Sequence, residues 1–162
     1  MRLVMASANP HKVAEIAELL TEHQIAPRPS GMGSVLETEA TLEGNARLKA
    51  TVVCREANSA AVADDTGLEV DALAGLPGVR SARYAGEDAT DAANLVKLLD
   101  RMKDVGEADR TARFRTVAIV VFPDGGELVA HGVAEGTICR APRGDGGFGY
   151  ASIFVPDEGH GR

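Results

Sequence analysis

Asp64 and Asp65 stand side by side between an apolar run, Ala60 to Ala63, and Thr66-Gly67. Adjacent side chains on an extended chain face opposite ways, so one carboxylate can face a site while the other ties down the turn. Two carboxylates at the exit of a strand are costly unless a metal ion or a hydrogen-bond donor meets them. Turn chemistry alone also accounts for Asp-Asp-Thr-Gly. A second candidate is Ser7-Ala8-Asn9-Pro10-His11-Lys12, in which Asn9 reads as an N-cap and Pro10 as the first helical residue. The free N–H groups and positive dipole end of such a helix make an anion site, to which Lys12 adds a mobile charge. An ordinary N-cap beside a solvated lysine fits the same residues.

Gly144-Asp145-Gly146-Gly147-Phe148-Gly149 satisfies the dinucleotide fingerprint G-x-G-x-x-G. That fingerprint needs a helix after it and an acidic residue about 20 positions on. Only 13 residues follow Gly149, so a loop that lets backbone approach a ligand, or a plain connector, is the better reading. Glu37 and Glu39 offer further acidic groups. His11, His23, His131 and His160 show no metal-ligand spacing.

The elements that must position these residues alternate between strand and helix patterns. Leu3 to Ala6 reads as a short buried strand, leading into a helix with Val13, Ile16, Leu19 and Leu20 at helical spacing. Ile25 to Glu39 is rich in Pro, Gly and Ser and reads as irregular chain. Glu43 to Ala57 reads as a second helix with Leu48 and Val52 on one face, and Asp91 to Met102 as a third with a stripe of Leu95, Leu98, Leu99 and Met102. Ala60 to Ala63 and Leu68 to Val70 read as two extended pieces with Asp64 to Gly67 turning between them, and Pro77-Gly78 as a turn. Phe114 to Phe122 and Glu127 to Val133 form a hairpin across Pro123-Asp124-Gly125-Gly126, and Ile153 to Val155 is a last short strand.

With 162 residues, 44% hydrophobic and 25% charged, the chain has the size and composition of a single globular domain. A net charge of −7 has the wrong sign for gripping a nucleic-acid backbone, so a polyanionic ligand must be met by local cations, backbone N–H groups or a metal. No stretch approaches the length of a membrane span or a secretory h-region. The two cysteines, Cys54 and Cys139, lie far apart, which fits a reducing cytoplasm.

Taken in order, Ser7-x-Asn9-x-x-Lys12-x-x-Glu15, Glu37-Thr38, Asn45-Ala46-x-x-Lys49-Ala50, Asp64-Asp65-Thr66-Gly67-Leu68, Leu76-Pro77-Gly78-Val79, Ser81-Ala82-Arg83-Tyr84-Ala85-Gly86 and Gly146-Gly147-Phe148-Gly149-Tyr150 resemble the inosine triphosphate pyrophosphatase family. The likeness spans nearly the whole chain. It implies an α/β fold, a mixed extended sheet flanked by helices, with two lobes around a nucleotide cleft. It also implies a homodimer that hydrolyses ITP, dITP and XTP to the monophosphate and pyrophosphate with Mg²⁺, cleansing the nucleotide pool.

By position, the resemblance implies that Ser7, Asn9, Lys12 and Lys49 hold the triphosphate and that Glu37 and Asp65 hold the metal. Asp65 is then the proton acceptor for the attacking water. Thr66 touches substrate, and Phe148, Gly149 and Tyr150 flank the base. The chain departs from the family pattern at Glu39, Leu42 and Gly44, and at Ala151, where an acidic residue commonly follows Phe-Gly-Tyr. It also stops at Arg162, ahead of a C-terminal lysine and Ser-His-Arg segment that read the 6-keto purine in relatives. Ala151 and the absent C-terminal segment imply weakened discrimination between purines, and a second reading as a nucleotide-binding relative with little or no catalysis.

Overall fold

The computed structural model describes residues 2–7, 14, 17–18, 21–29, 39–143 and 149–157. Its strands are β1 (Arg2–Met5), β2 (Gln24–Ala26), β3 (Ala61–Val70), β4 (Pro77–Gly78), β5 (Thr111–Val121), β6 (Glu127–Ile138) and β7 (Phe154–Pro156), and its two labelled helices are α1 (Leu42–Ala57) and α2 (Asp91–Arg101). The strands form one mixed sheet in the order β2-β1-β3-β5-β6-β7, with β4 paired to β3. β1 runs parallel to β2 and to β3, with Val4 opposite Ala61 and Met5 opposite Val62. β4 on β3 and β7 on β6 are antiparallel. This is the α/β fold with a mixed, helix-flanked sheet that the family resemblance implies.

By its contacts the chain divides into two compact units, Met1–Asp65 with Val117–His131, and Thr66–Thr116 with Gly132–Arg162. In the first, strand alternation sends Val4, Ala6, Ala61 and Ala63 to one face, where they pack with Ala46, Ala50, Val53 and Cys54 of α1. Leu3, Met5, Ala60 and Val62 form a separate cluster with Ile25, Val120 and Phe122. Thr41 caps α1 by accepting from Gly44 N at 2.9 Å, and Asn58 ends it in the left-handed region at φ 50°.

The second unit is built around Leu68 and Val70 of β3, Leu98 of α2 and Met102 at its C-terminal end, and Ala112, Ile138, Tyr150 and Ile153. The Leu95-Leu98-Leu99-Met102 stripe is therefore core, as its spacing predicts. Phe114 and Phe154 meet edge to face, with ring centroids 4.7 Å apart. Arg110 is 1% exposed, and its guanidinium donates to the carbonyls of Ile138, Met102, Val105 and Cys139.

Several expectations are corrected. Asp64 to Gly67 is not a turn between two extended pieces, because β3 runs unbroken from Ala61 to Val70. β1, β4 and β5 pair along it, satisfying backbone groups that local residue preference would release into a turn. Asp64 and Asp65 thus lie in mid-strand rather than at a strand exit. Gln24–Ala26 is a strand, not irregular chain, since β1 supplies a parallel partner. Pro77–Gly78 pairs with Glu69 and Leu68 instead of only turning.

The apolar face of α1 is also not Leu48 and Val52, which are half-buried. Its buried apolar side is Ala46, Ala50, Val53 and Cys54, small residues that let the helix sit close to the sheet. β6 extends to Ile138, five residues past its expected end at Val133. The helix expected after Asn9-Pro10 lies largely outside the described residues, of which Ala14, Ala17 and Glu18 are helical. Both cysteines are free.

Candidate active site

Lys49 and Asp65 are brought together in the first unit. Asp65, on β3, is 7% exposed. Lys49 sits two turns into α1, and its Nζ donates to the main-chain carbonyl of Asp64 at 2.8 Å and stands 3.9 Å from Asp65 Oδ1. A buried carboxylate on β3 thus faces an ammonium carried by α1.

One turn before Lys49, on the same helical face, Asn45 is fully buried and its Oδ1 accepts from Glu39 N at 2.9 Å. Asn45 thereby ties Glu39 to the helix that carries Lys49. Two of the departures from the family pattern meet at this spot. A Cβ on Gly44 would lie 2.8 Å from Glu39 Cβ and 3.0 Å from Thr41 Oγ1, so a side chain at position 39 needs glycine at 44. Ser7 lies two residues past the end of β1, next to Ala6, whose N–H donates to Val62 O at 2.9 Å.

The second unit holds Thr66, Gly149 and Tyr150. Thr66 Oγ1 and Thr116 Oγ1 share a 2.9 Å hydrogen bond between β3 and β5. Gly149 N donates to Asp91 Oδ2 at 3.2 Å. The Tyr150 hydroxyl donates to Ser81 O at 2.7 Å, and burial, reinforced by Tyr84 and Asp91, pushes its ionisation well above the usual phenol range. Around Ser81, Asn94 accepts from Ala85 N and donates to Ala82 O, while Lys97 Nζ donates to Tyr84 O and lies 4.3 Å over the Tyr84 ring.

Asn9, Lys12, Glu37 and Phe148 fall outside the described residues. The sequence reading missed roles for Asn45, Thr116, Asp91 and Asn94. Asn45 carried a signal, since it precedes Lys49 by four residues on a predicted helix. Thr116 carried none, because its partner lies 50 residues away and no motif surrounds it.

Comparison with known proteins agrees with this architecture. A profile of the Ham1 family matches residues 3–162. The chain is 47% identical to the dITP/XTP pyrophosphatase of Escherichia coli strain K12, covering 98% of this chain and 83% of that protein. It is 45% identical to that of Vibrio vulnificus strain YJ016, covering 97% and 82%. Among solved structures, a HAM1 protein from Coxiella burnetii superposes with a TM-score of 0.87 at 40% identity, over 95% of this chain and 81% of that one. A Staphylococcus aureus Ham1 protein superposes with 0.86 at 36% identity, over 98% and 82%. In sequence over almost its full length, and in the fold those residues build, the chain belongs to the Ham1 family.

Proposed function

We propose that the chain hydrolyses non-standard purine nucleoside triphosphates, dITP, ITP and XTP, to the monophosphate and pyrophosphate. The observation that carries this reading is the Lys49–Asp65 pair, a buried carboxylate and an ammonium 3.9 Å apart on rigid elements. The pyrophosphatase names of its relatives support it over binding without turnover. Lys49, with Ser7, Asn9 and Lys12, meets the triphosphate and offsets the net charge of −7 that would repel it. Asp65 orients the attacking water and accepts its proton, and Thr66 meets the substrate, its hydroxyl aligned by Thr116. Phe148, Gly149 and Tyr150 flank the base.

Mg²⁺ fits this donor set. No group of three His, Cys, Asp or Glu side chains forms a cage among the described residues. Mg²⁺ does not require one, since it binds through one or two carboxylates together with substrate phosphates. Asp65 and Glu37 would hold it. When bound, the ion supplies charge neutralisation and polarises a phosphoryl oxygen.

Incubation with ITP and Mg²⁺ should release IMP and pyrophosphate, and orthophosphate with IDP would overturn the assigned bond. Asp65→Asn should lower kcat about 10²-fold or more, the usual scale of general-base catalysis. Unchanged turnover in a folded variant would remove Asp65 from the mechanism.

The chain acts as a single pyrophosphatase domain over 1–162, in the cytoplasm where its substrates are pooled; two free cysteines suit that compartment. Among the described residues no helix is long and apolar enough to cross a membrane. It works as a homodimer, a reading supported by residues 127–135 of β6, all exposed and including Leu128, Val129 and Val133. Light scattering at micromolar concentration should give the mass of two chains, and the mass of one would overturn this.

A further inference from the structure

Asp91 opens α2, yet it is not the cap of that helix. Thr90 fills that role, its Oγ1 accepting from Ala93 N at 3.1 Å. The Asp91 carboxylate instead reaches 58 residues along the chain to accept the Gly149 N–H. Gly149 has φ +63°, a left-handed conformation open to glycine, and its amide belongs to the peptide that joins it to Phe148. A carboxylate on that N–H fixes the orientation of the peptide.

The next residue is pinned independently. The Tyr150 ring lies in the core of the second unit and its hydroxyl donates to Ser81 O. Ser81 is itself held, accepting from Leu68 N at 2.9 Å and donating to Gly78 O at 2.6 Å. One turn along α2 from Asp91, Asn94 is 2% exposed and ties down Ala82 and Ala85. The first two turns of α2 therefore set both the chain around Ser81 and the turn at Gly149. Of these contacts, only that of Asp91 acts on Gly149 from an exposed side chain whose removal leaves the core intact.

We propose that Asp91 is a positioning residue for nucleotide binding, holding Gly149 so that the Gly149–Tyr150 turn meets the base. Asp91 itself touches no substrate. The inference rests on the reading that this turn flanks the base, and the test separates the two.

Steady-state kinetics on the full chain should compare wild type with Asp91→Ala, Asp91→Ser and Asp91→Asn, using ITP as substrate and IMP and inorganic tripolyphosphate as competitive inhibitors. The serine variant keeps a polar residue in the first helical turn but lacks the reach to Gly149, so it carries the test should the alanine variant fold poorly. Alanine and serine should raise KM for ITP and Ki for IMP about fivefold or more, the scale of one lost charge-assisted hydrogen bond. kcat and Ki for tripolyphosphate should stay within about twofold, and asparagine, whose amide oxygen can accept the same N–H, should recover most of the affinity. A merely structural role would lower thermal stability without separating KM from kcat, or IMP from tripolyphosphate. Unchanged KM and IMP affinity in the serine variant, in a protein whose wild type prefers ITP to tripolyphosphate, would overturn the role of Asp91 and leave the base reading standing. A wild type that binds tripolyphosphate as tightly as ITP would overturn the base reading, and the role of Asp91 with it.

Discussion

The Lys49 ammonium donates to the carbonyl of Asp64 while standing 3.9 Å from the carboxylate of Asp65. One cation thus holds the backbone of β3 in place and faces the side chain of the next residue across a distance too long for a hydrogen bond. Lys49→Met should lower kcat/KM for ITP about 10²- to 10³-fold, as removal of a donor aimed at developing charge does. Lys49→Arg should not rescue it, because a planar guanidinium cannot replace a compact ammonium in a largely buried slot. A loss below threefold in a folded Lys49→Met protein would remove the pair from catalysis.

The readable part of this pair was its residue order. Lys49 stands four residues after Asn45 on a predicted helix, and Asp64-Asp65 after an apolar strand, so both carried local signals. Their meeting is non-local and became an expectation only through the ordered set of motifs. The continuity of β3 was not readable, because Asp64, Asp65 and Gly67 favour a turn in isolation and are held extended by neighbours distant in sequence. α2 was legible because its core stripe is made of Leu and Met, whereas α1 buries alanines that hydrophobic spacing scarcely registers. The reach of Asp91 to Gly149 spans 58 residues and carries no spacing rule at all.

Asp71 accepts from both terminal nitrogens of Arg113, at 3.0 and 3.1 Å, and from Thr111 Oγ1 at 2.7 Å. These bonds, Arg113 foremost, hold its carboxyl below the usual range. A lowered folded value means that the stabilisation is complete above the unfolded value of about 3.9 and disappears as pH falls through the folded one. Asp71→Asn should therefore be less stable than wild type at pH 7, with the gap closing below about pH 4. High salt should narrow the gap at pH 7, since the Asp71 carboxylate lies at the surface. Denaturant melts at pH 7 and pH 3 check this, and a gap of equal size at both would refute the linkage.

The Arg110 guanidinium works through main-chain oxygens. Four carbonyls, from Met102, Val105, Ile138 and Cys139, converge on its guanidinium. Burial lowers its ionisation from the ordinary arginine value. Arg110→Ala would strand those carbonyls and should cost about 3 kcal/mol or more. Arg110→Lys should recover little, because one ammonium cannot span the fork. Urea unfolding distinguishes the outcomes, and a loss under about 1 kcal/mol for the alanine variant would show that water replaces the guanidinium.

Tyr150 gives the opposite pH dependence. Its hydroxyl donates to Ser81 O inside the core, and burial raises its ionisation above the ordinary phenol value. A raised folded value means that its contribution is fully present below the unfolded value of about 10 and is lost as pH climbs from there toward the folded one. Tyr150→Phe leaves Ser81 O without this donor and should cost about 1 to 2 kcal/mol at neutral pH. The phenylalanine variant has no phenol to ionise when it unfolds, so the gap to wild type should shrink between about pH 10 and pH 11. Paired chemical melts from pH 8 to pH 11 measure that gap directly. A gap that stays constant over the range would mean that the Tyr150 phenol ionises as readily in the folded chain as in the unfolded one, and that the bond to Ser81 does not hold the proton.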